Sequence, residues 1–153
     1  MAVQAFAQGQ DMKISEYLRL DHKSISGNVW RLEQQLEIGS LSIAAVKATV
    51  LTIRAALENH AKLEEKVLFP ALERELGTDD GPLAVMEAEH SQISALFSRI
   101  DGARDEDNVP MLTKELTGLL ISHFAKEEHD LFPIADELLA GVEIDGSGVV
   151  NPR

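Results

Sequence analysis

From Ile14 onward the apolar residues fall at steps of three and four: Ile14, Leu18, Ile25, Val29, Leu32 and Leu36, with His22 on the same stripe. That is the period of a helix with one buried face. Gly39 marks its end, and Ser40 stands where it would cap the next helix. The second stripe reads Ile43, Val46, Val50, Ile53, Leu57 and Val67, and here His60 and Glu64 occupy places where the pattern demands apolar side chains. Pro70 lacks a backbone donor and clashes one turn back, which predicts a kink or restart. The stretch from Gly77 to Gly81 reads as a turn, and Pro82 suits the first position of a third helix along Leu83, Met86, His90, Ile93, Phe97 and Ile100. The polar run Asp101 to Asp107 breaks that helix as a solvated loop. Asn108 is placed to cap a fourth, with Pro110 near its start, along Leu112, Leu116, Leu120, His123, Glu127, Leu131, Ile134 and Leu138.

Four helices with mostly short connections predict an all-α, up-down-up-down antiparallel four-helix bundle. The expected domain is 12–140. Residues 1–11 carry little pattern and read as an N-terminal arm, and 141–153 as an irregular tail.

The bundle is written twice. His60-Ala-Lys-Leu-Glu64-Glu65, closed by Leu68-Phe69-Pro70, recurs as His123-Phe-Ala-Lys-Glu127-Glu128, closed by Leu131-Phe132-Pro133. A shorter echo precedes each copy: Asp21-His22 with Ile25, and Glu89-His90 with Ile93. The chain is thus an internal repeat of two hairpins. Measured from the connecting turns, the two histidines of each hairpin differ in height by four residues, or ~6 Å along the axis. Both rings of a hairpin can therefore converge on one site.

Composition narrows the chemistry. A chain of 153 residues makes about one domain. Its net charge of −12 opposes binding to nucleic acid or to an anionic membrane. The absence of cysteine excludes thiolate zinc sites, iron–sulfur clusters and disulfides built from this chain alone. No apolar run approaches the ~20 residues that span a bilayer, and the first residues lack a basic leader. A soluble cytoplasmic protein is the expectation.

A histidine and a glutamate four residues later differ by ~40° around a helix, so His60 and Glu64 point inward together, as do His123 and Glu127. Glu65 and Glu128 turn ~140° from those histidines and read as solvated groups or supports behind the ligands. Taken singly, each histidine is more simply a hydrogen-bonded core residue. Taken together, His22, His60, His90, His123, Glu64 and Glu127 would each cost several kcal/mol to bury unpartnered, and no Lys or Arg lies on the inward stripes to neutralise the glutamates. A pair of divalent or trivalent cations satisfies all six. Imidazole and carboxylate without thiolate suit iron or manganese, with zinc compatible. Glu87, three residues before His90, is a further candidate for an inward carboxylate, and His129 reads as a surface histidine. Tyr17 and Trp30 read as core or interface packing.

The set His22, His60-x3-Glu64, His90 and His123-x3-Glu127, with its two Glu-Glu-x2-Leu-Phe-Pro extensions, resembles the hemerythrin-like HHE cation-binding domain family over about residues 12–140. The resemblance implies a non-haem di-iron centre, an oxo- or hydroxo-bridged pair, with Glu64 and Glu127 bridging the irons. It assigns His22 and His60 to one iron, His90 and His123 to the other. In the oxygen-carrying hemerythrins a fifth histidine follows the residue matching His90 by four; here that place is Ser94. They also carry an aspartate five residues after the last histidine, where this chain has Glu128. This set is closer to the iron- and oxygen-sensing or stress-related members than to the reversible oxygen carriers.

Three functional readings follow. The first is a protein that binds or senses oxygen, nitric oxide or iron. The second is a di-iron enzyme acting on peroxide or nitric oxide, in stress defence or iron-centre repair. The third is a bundle with a structural metal. The gap at Ser94 favours the first two, because a missing ligand leaves a coordination position for a diatomic molecule or peroxide. No further catalytic group stands on a recognisable motif, so no enzyme class follows.

Overall fold

A computed structural model describes residues 12–77, 81–144 and 150–152. Four helical rods form the expected all-α bundle. They are α1 (Ile14–Ile38); α2 (Ile43–Leu63) continued by α3 (Phe69–Leu76); α4 (Pro82–Gly102); and α5 (Asn108–Lys126) continued by α6 (Phe132–Leu138). The expected arm over 1–11 lies outside the described residues. The turn expected between Gly77 and Gly81 also falls mostly outside them.

Two rods carry the same local device. Between α2 and α3, residues Glu64–Leu68 form one π-helical turn, in which Phe69 N–H donates to the Glu64 carbonyl, five residues back. Between α5 and α6, Glu127–Leu131 repeat it, with Phe132 N–H donating to the Glu127 carbonyl. Pro70 and Pro133 follow at the second position of the next helix. The rods therefore continue through the prolines rather than restarting there. The wider turn absorbs the ring's demand on the carbonyl one turn back, and π turns of this kind mark functional sites. It also brings Leu68 with Phe69, and Leu131 with Phe132, into the core.

The apolar core is split into two clusters. One holds Ile25, Val29, Leu57, Ile93, Phe97, Leu120 and Phe124 among others; the second holds Leu18, Leu68, Phe69, Met86, Leu131 and Phe132 among others. On every rod the histidine lies between a residue of one cluster and a residue of the other. His22 lies between Leu18 and Ile25, His60 between Leu57 and Leu68, His90 between Met86 and Ile93, and His123 between Leu120 and Leu131. Each of these aliphatic or aromatic side chains contributes about 1.5–3 kcal/mol by burial. Four rods are thereby locked at one height, with a polar layer between two dry ones.

The ends of the rods differ in detail from the sequence pattern. Gly39 closes α1 in the left-handed region at φ 67°. Ser42, not Ser40, caps α2, its hydroxyl accepting from Ala45 N–H at 3.2 Å. The linker needs residues 40–42 to reverse direction, so the cap falls two places later. At α5, Asp105 rather than Asn108 does the capping, its carboxylate accepting the Asn108 backbone and side-chain N–H groups, both at 2.7 Å. The polar run does not break α4 at Asp101, because the helix continues to Gly102. Lys47 holds that end by donating to the carbonyls of Asp101 and Ala103 at 2.8 and 2.6 Å. Tyr17 packs at the edge of the second cluster, whereas Trp30 is 62% exposed and outside the core.

The stretch 141–153, expected to be irregular, carries two short strands among its described residues. β1 (Met12–Lys13), β2 (Val142–Ile144) and β3 (Val150–Pro152) form an antiparallel sheet in that order, with Met12 opposite Ile144. Ile144 is buried against the second cluster, which gives the short strand its reason to dock. Two- and three-residue strands are too short to show a period. No helix among the described residues is long and apolar enough to cross a membrane.

Candidate metal centre

All six side chains singled out by the pattern meet in the polar layer. The Nε2 atoms of His22 and His60 lie 3.1 Å apart. The rings of His90 and His123 lie edge to face at 5.0 Å between centroids. Glu64 reaches across both hairpins, with Oε1 at 3.0 Å from His60 Nε2 and Oε2 at 3.2 Å from His90 Nε2. Glu127 does the same from the other side, with Oε2 at 3.0 Å from His22 Nε2 and Oε1 at 3.1 Å from His123 Nε2. Two groups of four result, His22, His60, Glu64 and Glu127, and His90, His123, Glu64 and Glu127, each with its donor atoms within 4.8 Å of one another. Either group could hold a metal ion, and the two share both carboxylates.

The far side of each ring explains why Nε2 is the atom presented. His22 Nδ1–H donates to Glu128 at 3.1 Å, and His60 Nδ1–H to Asp21 at 3.3 Å. His90 Nδ1–H donates to Glu65 at 2.8 Å, and His123 Nδ1–H to Glu89 at 2.9 Å. An ionised carboxylate only accepts, so the hydrogen sits on Nδ1 and the Nε2 lone pair faces inward. The four contacts obey the internal repeat. Asp21 and Glu89 each serve the second histidine of their own hairpin, while Glu65 and Glu128 each serve the opposite hairpin.

Glu65 and Glu128 were legible as supports; Asp21 and Glu89 were not. Each stands immediately before a histidine, so sequence proximity suggests the wrong partner, and only helix packing delivers it to the neighbouring rod. Glu89 also pairs with Lys126. Burial would raise its carboxyl, but Lys126 and His123 hold it below its ordinary range. Glu87 is exposed and does not turn inward, and His129 is exposed as expected.

Electrostatically the layer is starved of positive charge. Burial depresses the charged form of His60, His90 and His123, yet neighbouring carboxylates win. His60 is raised well above its ordinary value by Asp21, Glu127 and Glu64. His90 is raised to about 8 by Glu64 and Glu65, and His123 is raised by Glu127 and Glu89. Burial pushes Glu127 up, but His123, His22 and His60 draw it well below the carboxylate range. In metal-free protein, protons supply the charge that the carboxylates demand. Even so, none of the four oxygens of Glu64 and Glu127 makes a hydrogen bond. Nitrogen and oxygen approach within 3.2 Å across the layer, and a proton or a cation at the points between them is what such a contact requires. Buried carboxylates in that state cost several kcal/mol. Cations at those points satisfy them, and the donor set of imidazole and carboxylate fits a first-row transition metal.

The profile of the hemerythrin HHE cation-binding domain matches residues 13–135. The chain belongs to this family. Among curated proteins, this HHE chain is 31% identical over 91 residues to an iron–sulfur cluster repair protein YtfE of Cronobacter sakazakii. It is 33% identical over 91 residues to the protein of that name from Dickeya chrysanthemi. The match covers 52% of this chain and 41% of each relative, so it spans less than half the length of the curated relatives. No solved structure matches the chain significantly.

Proposed function

We propose that the chain is a non-haem di-iron protein that binds or senses a small molecule, oxygen or nitric oxide, at a centre held by His22, His60, His90, His123, Glu64 and Glu127. The observation that carries this is the set of four buried carboxylate oxygens, unbonded to hydrogen and shared between two histidine pairs. Glu64 and Glu127 would hold both ions, since each offers one oxygen to each hairpin. Asp21, Glu65, Glu89 and Glu128 fix the rings so that Nε2 is presented without a rotamer search. The two apolar clusters exclude water from above and below. Iron, when bound, supplies redox chemistry and a coordination position for a diatomic molecule or peroxide. Manganese or zinc would fit the same donors. Ser94, one turn beyond His90, offers no ring to fill that position.

A second reading is a di-iron enzyme acting on peroxide or nitric oxide, in stress defence or iron-centre repair; the relatives' names speak for the repair of iron–sulfur clusters alone. Among the described residues the acids nearest the six are their own supports and the Tyr17 phenol. Burial and Asp21 hold that phenol protonated, and it lies within the field of His60, so the enzyme reading has a candidate acid on the His60 side.

The deciding experiment is metal analysis and optical spectroscopy of protein from iron-supplied cells, before and after oxygen, peroxide and nitric oxide. Two irons per chain with spectra that respond to the diatomic ligands support the proposal. Sustained peroxide or nitric oxide consumption, lost on removing His90 or His123, selects the enzyme reading. Tightly bound metal with no spectral response selects a structural metal.

A further inference from the structure

The two halves of the centre correspond residue by residue, and the correspondence breaks at one pair. Superposing the long stretches on their histidines sets Ala61 against Phe124. Phe124 is buried, stacks on His22 at 4.1 Å between centroids and meets the edge of His60 at 5.9 Å. Its ring closes the flank of the His22–His60 pair. On the opposite flank the same place carries only the methyl group of Ala61. There a cavity of about 230 Å³ lies between α2 and α4, bounded by Ala61 and Ser94 and ending on His90 and His123. Its walls are the apolar side chains of Leu57, Ile93 and Phe97.

Exposure follows this asymmetry. The His90 side chain is 12% exposed, against 2% for His22 and 1% each for His60 and His123. The mouth differs as well. Arg54 and Lys62 line the cavity, Arg54 donating to Glu58 at 2.9 Å and lying over Phe97 at 5.7 Å. Their counterparts in the second repeat are Thr117 and Ala125, which carry no charge. Glu58 and Glu65 line the cavity as well, so the two cations balance two carboxylates. In a chain of net charge −12 the opening thus adds no further repulsion of small anions.

We infer that external ligands enter the centre from one side only. They pass through the cavity left by Ala61 and reach the His90–His123 position, while Phe124 seals the His22–His60 position. The ligands that fit are diatomic molecules and small monoanions. The inference rests on the centre being a metal pair, but the accessibility it describes belongs to the protein itself and is measurable without metal.

Two readouts separate these. In metal-free protein, diethyl pyrocarbonate should modify His90 well ahead of His22, His60 and His123, with exposed His129 as the internal reference. Ala61→Phe should slow His90 relative to His129, and the smaller Ala61→Val guards against a folding defect. In iron-loaded protein of measured metal content, Ala61→Phe should weaken azide binding by about tenfold or more, because the space is filled. Equal reaction rates at His90 in wild type and both Ala61 variants would overturn the one-sided entrance, as would full azide affinity in iron-replete Ala61→Phe. Failure to load iron with the His90 pattern intact would instead count against the metal-pair reading.

Discussion

The Nε2 atoms of His22 and His60 face each other at 3.1 Å, while the opposite nitrogens of both rings donate to Glu128 and Asp21. With both Nδ1 atoms committed, two inward lone pairs are stable only around a shared proton or a cation. Protons and metal therefore compete throughout this layer.

That competition sets a pH dependence. His90 is raised from its ordinary value to about 8 by Glu64 and Glu65, against the opposing effect of burial. A raised histidine stabilises the metal-free fold fully below about 6.5, and that contribution is lost as pH rises through about 8. Metal must displace the same proton, so apparent metal affinity should rise from pH 6 to 8 and then level. Melting of the metal-free and loaded forms from pH 6 to 9 checks this. A gap between the two curves that narrows with rising pH would contradict it.

Glu64 has opposite effects in the two states. Once pH has risen far enough for His60 and His90 to lose their protons, leucine in its place removes a buried carboxylate with no cation beside it, so metal-free Glu64→Leu should melt no lower than wild type. At lower pH the loss of the charge facing His60 and His90 should lower its melting. The added stability conferred by metal, about 2.7 kcal/mol at a hundredfold excess over Kd, should vanish. Calorimetry with and without metal reads both numbers. Undiminished metal stabilisation in this variant removes Glu64 from the centre.

Asp21 acts through His60. Asp21→Ala frees the ring to rotate and removes the acceptor that selects its tautomer, which should lower metal affinity by about 10–100-fold. Asp21→Asn, which keeps an acceptor, should recover part of the loss. Competition with a chelator gives the ratio, and circular dichroism confirms the helices. Equal losses in the two variants would mean that charge alone, rather than positioning, is what Asp21 supplies.

The cap of α2 gives a test remote from the metal. Ser42→Ala should cost about 1 kcal/mol, and Ser40→Ala only a few tenths, because only the Ser42 hydroxyl accepts a helix N–H. Denaturant unfolding of the two variants decides the order.

Much of this protein is legible in its sequence because helical periodicity is local. The stripes through Leu18 and Leu32, or Val50 and Leu57, report a buried face whatever packs upon it, and His22, His60, Glu64, His90, His123 and Glu127 stood out by interrupting such stripes. The repeat then set their heights. Tertiary structure decided the rest. Asp21 and Glu89 support histidines on other rods, a relation that depends on which helix faces which. The π turns after His60 and His123 arise where Pro70 and Pro133 must be accommodated within a packed rod. The sheet of β1, β2 and β3 joins the two ends of the chain, which no local pattern can anticipate. The difference between Ala61 and Phe124 was visible as letters, but its meaning was not. A methyl group becomes an opening only when the facing helix leaves the space beside it unfilled, and packing across the bundle settles that.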